Sequence, residues 1–212
     1  MKFICDAVTF TILLVAGPTL GGPTFGGPTL GMSTQQGEAN RPVSVASSGS
    51  VNTGVSGDDS QQAGQAVVLF LHWYKAHMQA VNRYPLVRQL PGKSYSVNLK
   101  NGEHYLAILK SSHLLTDGYL DQWRTYFKKR NEGFRLNPQD EGPPDGFEYD
   151  LVMLTQDVDK QLAALKSLKI NRINVVKNRA TVTLTLLRAY KFRLVHQNDQ
   201  WRIDEILNLG QE

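Results

Sequence analysis

The sequence has almost no cysteine. Cys5 is the only one in 212 residues, so a disulfide framework, a CxxC redox pair and a cysteine-based zinc site are excluded, because each needs at least two thiols. Aromatic residues are missing from the first third: between Phe10 and Phe70 only Phe25 occurs, and Trp73, Trp123 and Trp201 all lie beyond it. A hydrophobic core is therefore available only to the later residues. There is no HExxH pair, no Gly-Ser nucleophile elbow and no dinucleotide fingerprint, which removes the usual signals of zinc hydrolases, serine hydrolases and dehydrogenases. Gly92-Lys93-Ser94 has the ending of a phosphate loop, but Val87 stands where its first glycine belongs. His72 and His77 are five residues apart and project about 140° from one another on a helix, while His104 and His113 fall on opposite faces. His77 lies on an apolar stripe as a core or boundary residue, and His196 sits beside a turn. The residues predict no metal and no cofactor.

What is present divides into two regimes. Met1-Lys2 precedes an apolar stretch, residues 7–16, with the length of a secretory signal and short of a membrane-spanning helix. It is read as an export signal, or as an uncleaved tether to the membrane. From Gly17 to Gly31 a five-residue unit repeats three times as Gly-Pro-Thr-Leu/Phe-Gly, and a Ser/Gly/Gln-rich run continues to residue 65. Glycine and proline at this density oppose both helix and sheet, so residues 17–65 read as a flexible spacer with a reach of about 40 Å. Residues 66–212 carry 21 Lys and Arg against 15 Asp and Glu, and they read as one folded domain.

Within that domain Val67, Phe70, Tyr74, His77 and Val81 recur at steps of three and four, the pattern of an amphipathic helix. Asn101 is a candidate cap for a second helix through Lys110. Thr116 or Asp117 opens a third, with Tyr119, Trp123, Tyr126, Leu120 and Phe127 inward and Gly133 as its stop. Residues 137–146 form an acidic, proline-rich loop. Then Ile173 and Val175, Ala180 to Leu186, Phe192 and Leu194, and Trp201 and Ile203 alternate with polar residues as half-buried strands do. Turns are expected at Lys177-Asn178 and Asn198-Asp199. A three-residue turn including Tyr190 is preferred for the middle hairpin, placing Leu184 opposite Leu194 and Leu186 opposite Phe192. The prediction is an α+β domain: three helices packed on a curved antiparallel four-stranded meander.

The element order, together with Asp150-Leu-Val-Met-Leu-Thr-Gln156-Asp157 between helices and sheet and Trp201-Arg-Ile-Asp204 near the end, resembles a family of exported or lipid-anchored bacterial envelope proteins. That family lies in the nuclear transport factor 2-like superfamily of cone-shaped α+β domains. Asp150, Gln156 and Asp157 match its short motif; Leu151 stands where the family has proline. The resemblance covers roughly residues 66–209. It implies the cone fold and an envelope address, periplasmic or secreted, and no particular reaction. Enzymes elsewhere in the superfamily, ketosteroid isomerase among them, use an aspartate base and a tyrosine or aspartic acid donor inside the cone.

Asp150, Asp157 and Tyr149 form the one concentration of acid and base groups in the sequence, with Asp159 close by. Paired carboxylates in a pocket can divide general acid and base roles, whereas as caps they would fasten the loop to the sheet. Glu205 follows Trp201 and Ile203 on the inward parity and so enters the cone mouth, or lies in water if the strand ends there. Tyr149 and Tyr190 are candidate donors. Lys128-Lys129-Arg130 with Arg124 and Arg135 could touch an anionic surface, but the same residues suit a solvated helix end, and export leaves no nucleic acid as partner. The leading expectation is a non-catalytic envelope domain that binds a protein or a small apolar ligand through the open side of its sheet, as a monomer or a dimer. The alternatives are an immunity or inhibitor protein against a toxin or hydrolase, and an isomerase, cyclase or dehydratase with a carboxylate base in the cone.

Overall fold

A computed structural model describes residues 57–210. The signal or anchor at 1–16, the spacer up to residue 56 and the last two residues lie outside the described residues.

Helix α1 (Gly57–Val81) opens with Asp58 and Asp59, whose charges suit the positive end of the helix dipole. It buries Ala63, Val67, Phe70, Leu71, Tyr74 and Val81. Residues 57–65, which glycine and serine content groups with the spacer, are thus its first turns; Ala63 in fact sits fully inside. His77, on the predicted stripe, is exposed and stacks on Trp73 with ring centroids 4.5 Å apart. A two-stranded ladder, β1 (Val87–Arg88) with β2 (Ser96–Val97), follows. Helix α2 (Leu99–Lys110) is capped by Asn98, not Asn101: Asn98 Oδ1 accepts the Asn101 N–H. Helix α3 (Asp117–Leu136) starts at Thr116 as expected, its hydroxyl accepting the Tyr119 N–H at 3.0 Å. It runs on past Gly133 because Phe134 is buried on its inward face and rewards the extra turn. A short helix α4 (Val158–Ala163) and a 3-10 turn then lead into the sheet.

Strands β3 (Lys169–Val176), β4 (Arg179–Thr185), β5 (Ala189–Gln197) and β6 (Gln200–Asn208) form an antiparallel meander in chain order. The domain is α+β, with α1 packed along β3, β4 and β6 and with α3 against β6. The expected four strands and inward positions hold: Ala180, Val182, Leu184, Phe192, Leu194, Trp201 and Ile203 are all buried. The turns at Lys177-Asn178 and Asn198-Asp199 are two residues long, and positive φ at both Asn198 and Asp199 matches the twist of the hairpin. The middle hairpin differs from the reading of the sequence. Its three-residue turn is Leu186-Leu187-Arg188, and Leu184 faces Tyr190 rather than Leu194. The shift preserves parity, so the same residues still point inward, but Tyr190 becomes a fully buried strand residue.

Two bulges adjust the sheet. One falls between Ile170 and Arg172, the other opposite Arg193 and Leu194, where Asp204 is the extra residue of β6. Beside the second, Leu114 to Thr116 lies against β6: the Ile203 N–H donates to Leu114 O and the Thr116 N–H to Ile203 O. The Thr116 hydroxyl also donates to Asp204 at 2.6 Å, tying the start of α3 to the sheet.

Candidate functional site

Asp150 ends the acidic loop where the chain returns to the core. Its N–H donates to Thr155 O, and Leu154, at φ 51°, turns the intervening peptide back on itself. Leu151, Val152 and Met153 are driven into the core by that turn. The Asp150 carboxylate satisfies the N–H groups this leaves: Oδ1 accepts from Val152 at 3.1 Å and Met153 at 2.7 Å. Oδ2 accepts a 2.5 Å hydrogen bond from the Tyr74 hydroxyl on α1. Burial raises the Asp150 carboxyl above its ordinary range, opposed by the Tyr74 phenol and the two backbone N–H groups. Burial first, then neighbouring Tyr105 and Asp150, keeps Tyr74 protonated far into the alkaline range.

Other phenols gather around this pair. Tyr105 on α2 and Tyr119 on α3 are both raised, mainly by burial and further by the Asp150 charge. Tyr190 on β5 is pushed up to about 12 by burial. The hydroxyls of Tyr119 and Tyr190 have no hydrogen-bond partner among the described residues. A cleft of about 230 Å3 opens on the outer side of Asp150, lined by Tyr84, Leu86, Tyr105, Phe147 and Tyr149 among others. Tyr149 is half-buried and raised by burial and by Tyr126.

The structure separates the other candidates from this centre. Asp157 precedes α4 at the surface, and Lys160 Nζ, 2.8 Å from its Oδ1, holds its carboxyl below the usual range. Gln156 beside it is exposed. Glu205 does not enter the interior, because the bulge at Asp204 reverses the alternation after Ile203 and gives the inward place to Ile206. It pairs with Arg193 across β5, Nη1 to Oε2 at 2.6 Å. Of the three motif residues only Asp150 reaches the core. The partner that sequence reasoning missed is Tyr74; its place on the α1 stripe marked it as buried, and nothing local joins it to a residue 76 positions later.

Chemically, this arrangement holds a carboxylate. Oδ1 of Asp150 accepts two backbone N–H groups and Oδ2 the Tyr74 phenol, and each of these bonds lowers its basicity against the raising effect of burial. The basic end of α3 is likewise occupied: Arg124 pairs with Glu103 and Asp121, Arg135 with Glu132, and Arg130 donates to the Tyr126 hydroxyl. Among the described residues no group of three His, Cys, Asp or Glu could hold a metal ion, and no helix is long and apolar enough to cross a membrane.

No protein-family model matches the chain, and no curated protein does. Two solved structures are similar to it in shape, both of the type VI effector–immunity complex Tae3–Tai3 from Ralstonia pickettii. The selenomethionine form matches with a TM-score of 0.40 and 16% identity, over 71% of this chain and 98% of that one. The native form matches with a TM-score of 0.41 and 15% identity, over 70% and 96%. At these scores neither carries a function over to this chain.

Proposed function

We propose that this is a protein-binding domain of the bacterial cell envelope, exported by its first residues and working through its surface. The observation that carries the reading is how Asp150, the partly buried carboxylate at the cleft, is used. Both oxygens of Asp150 are committed to holding residues 151–153 and α1 together, while the other candidate carboxylates, Asp157 and Glu205, stand in surface ion pairs. The interior side of the sheet is filled by Phe70, Tyr74, Met153, Tyr190 and Phe192, so recognition falls to what faces outward. The apolar stretch at 7–16 supports the envelope address. An immunity or inhibitor protein is one form that such a domain takes.

Size-exclusion chromatography of the full chain with an envelope extract tests this. A saturable complex with one protein is expected, and it should form equally with Asp157→Asn, whose carboxylate stands in a surface ion pair before α4. A chain that stays alone at every extract concentration would overturn the reading, as would fractionation that finds it only in cytosol with its first residues intact. Suppression of the partner's hydrolytic or toxic activity by the full chain would identify the immunity form.

A further inference from the structure

The outward side of the meander has a composition unlike that of the inward side. Cross-strand partners share a face, so the register groups the outward residues into rows. One row is Arg172, Thr183, Lys191 and Leu207; the next is Asn174, Thr181, Arg193 and Glu205; a third is Val176, Arg179, Val195 and Arg202. Lys169, Thr185 and Ala189 form a fourth, shorter row. Six cations, Lys169, Arg172, Arg179, Lys191, Arg193 and Arg202, thus share a face with Glu205, which is paired with Arg193. The bulge residue Asp204 beside it is held by Thr116, and Arg202, whose Nε is buried, lies toward Asp117 at the β6 edge. The helices pack on the opposite side. Adjacent strands lie about 4.8 Å apart and alternate residues about 6.8 Å apart, so the cations are distributed across the face rather than gathered at one edge.

We infer that this outer sheet face is the docking surface of the proposed binding domain, and that its partner is a protein presenting an acidic surface. The inference rests on the binding reading above and adds where the partner sits and what chemistry it carries. Charge complementarity gives the sign: several spaced cations steer and hold a partner of opposite charge. The side chains between them give the class. Single-stranded nucleic acid on a sheet is held by aromatic rings on which bases stack, and membrane surfaces are engaged by aromatic and bulky apolar anchors. Tyr190, Phe192 and Trp201 all point to the other side. The positions between the cations are Thr181, Thr183, Thr185 and Asn174, together with the aliphatic Ala189, Val176, the buried Val195 and Leu207, and none is aromatic. Hydroxyl and amide groups between arginines suit the mixed carboxylates, carbonyls and amides of a protein surface, where arginine is enriched at contact centres.

The test uses the full chain with poly-L-glutamate as probe, and amide chemical shifts as the map. Saturable shifts confined to β3, β4, β5 and β6 are expected, with affinity falling at least tenfold in the Arg172→Glu/Arg179→Glu/Lys191→Glu variant. Should that variant lose its fold, judged by its urea midpoint, the Arg172→Gln/Arg179→Gln/Lys191→Gln variant replaces it, with the same direction and a smaller fall. Unchanged affinity in a folded variant, or shifts that map to the end of α3, would overturn the inference. So would duplex DNA or phosphatidylglycerol vesicles binding the same residues tenfold more tightly than poly-L-glutamate. The envelope-extract complex separates the two readings: if it survives in the charge-reversed variant the face is wrong and the binding function stands, and if the unaltered chain forms none the binding function falls by itself.

Discussion

Removing the Tyr74 hydroxyl tests the structural role of Asp150 most directly. Tyr74→Phe keeps the buried ring and deletes only the donor of the 2.5 Å bond to Oδ2. Hydrogen bonds to charged acceptors contribute about 1.5–3 kcal/mol each, and the carboxylate left short of a donor is one that burial already disfavours. In a domain of this size that corresponds to a fall of about 3–12 °C in Tm. Asp150→Ala costs more, about 3–5 kcal/mol, because it strands the Val152 and Met153 N–H groups and the phenol together. Urea unfolding followed by tryptophan fluorescence reads both, and the double variant closes the cycle. A coupling of about 1–3 kcal/mol is expected with an unchanged denaturant slope. Coupling under about 0.5 kcal/mol would refute the claim that the pair joins α1 to the loop.

Two further outcomes follow from the same structure. The Asp150 carboxyl is raised in the folded state, so its favourable contribution is complete below the ordinary carboxyl range and is lost as pH rises through the folded value. Relative to Asp150→Asn, the unaltered chain should therefore lose urea stability as pH climbs from about 4 upward; a rising difference would contradict the sign. The second concerns two helical glycines. A Cβ on Gly102 would meet the Phe127 ring at 2.9 Å, and that ring is locked between α2 and α3, whereas a Cβ on Gly64 would meet only the Cδ1 ends of Ile173 and Ile170. Gly102→Ala should cost about 1–3 kcal/mol by overpacking, and Gly64→Ala should be neutral or gain up to about 1 kcal/mol of helix propensity, measured by urea midpoint.

Much of the fold was legible because it is written in periodicity. The alternation from Ala180 to Leu186 and from Phe192 to Leu194, and the stripe from Val67 to Val81, report burial directly. Where the reading failed, the deciding interaction was not local. Tyr190 looked like a turn residue beside Arg188 because tyrosine serves equally in turns and cores, and its pairing with Leu184 is set by the whole hairpin. Glu205 looked inward because parity was carried across Asp204, and a bulge leaves no residue-type mark of its own. For the site, the spacing of Asp150 and Asp157 suggested a pair, but Asp150 finds its partner on α1 and Asp157 finds Lys160 one turn on. The cap role considered for Asp150 is the one its Oδ1 fulfils.

The bulge at Asp204 also bears on how this sheet meets other copies of itself. An open strand edge is a template on which further chains can pair and polymerise. At β6 the residues before α3 lie against the strand and exchange backbone hydrogen bonds with Ile203, and the Thr116 bond to Asp204 keeps them there. Among the described residues no strand pairs with the far edge, β3, yet that edge is broken by a bulge after Ile170 and flanked by Lys169 and Arg172. An approaching strand would find its ladder out of step within three residues and two like charges beside it. The sheet can thus leave a broad face in water for recognition while remaining a poor seed for fibres.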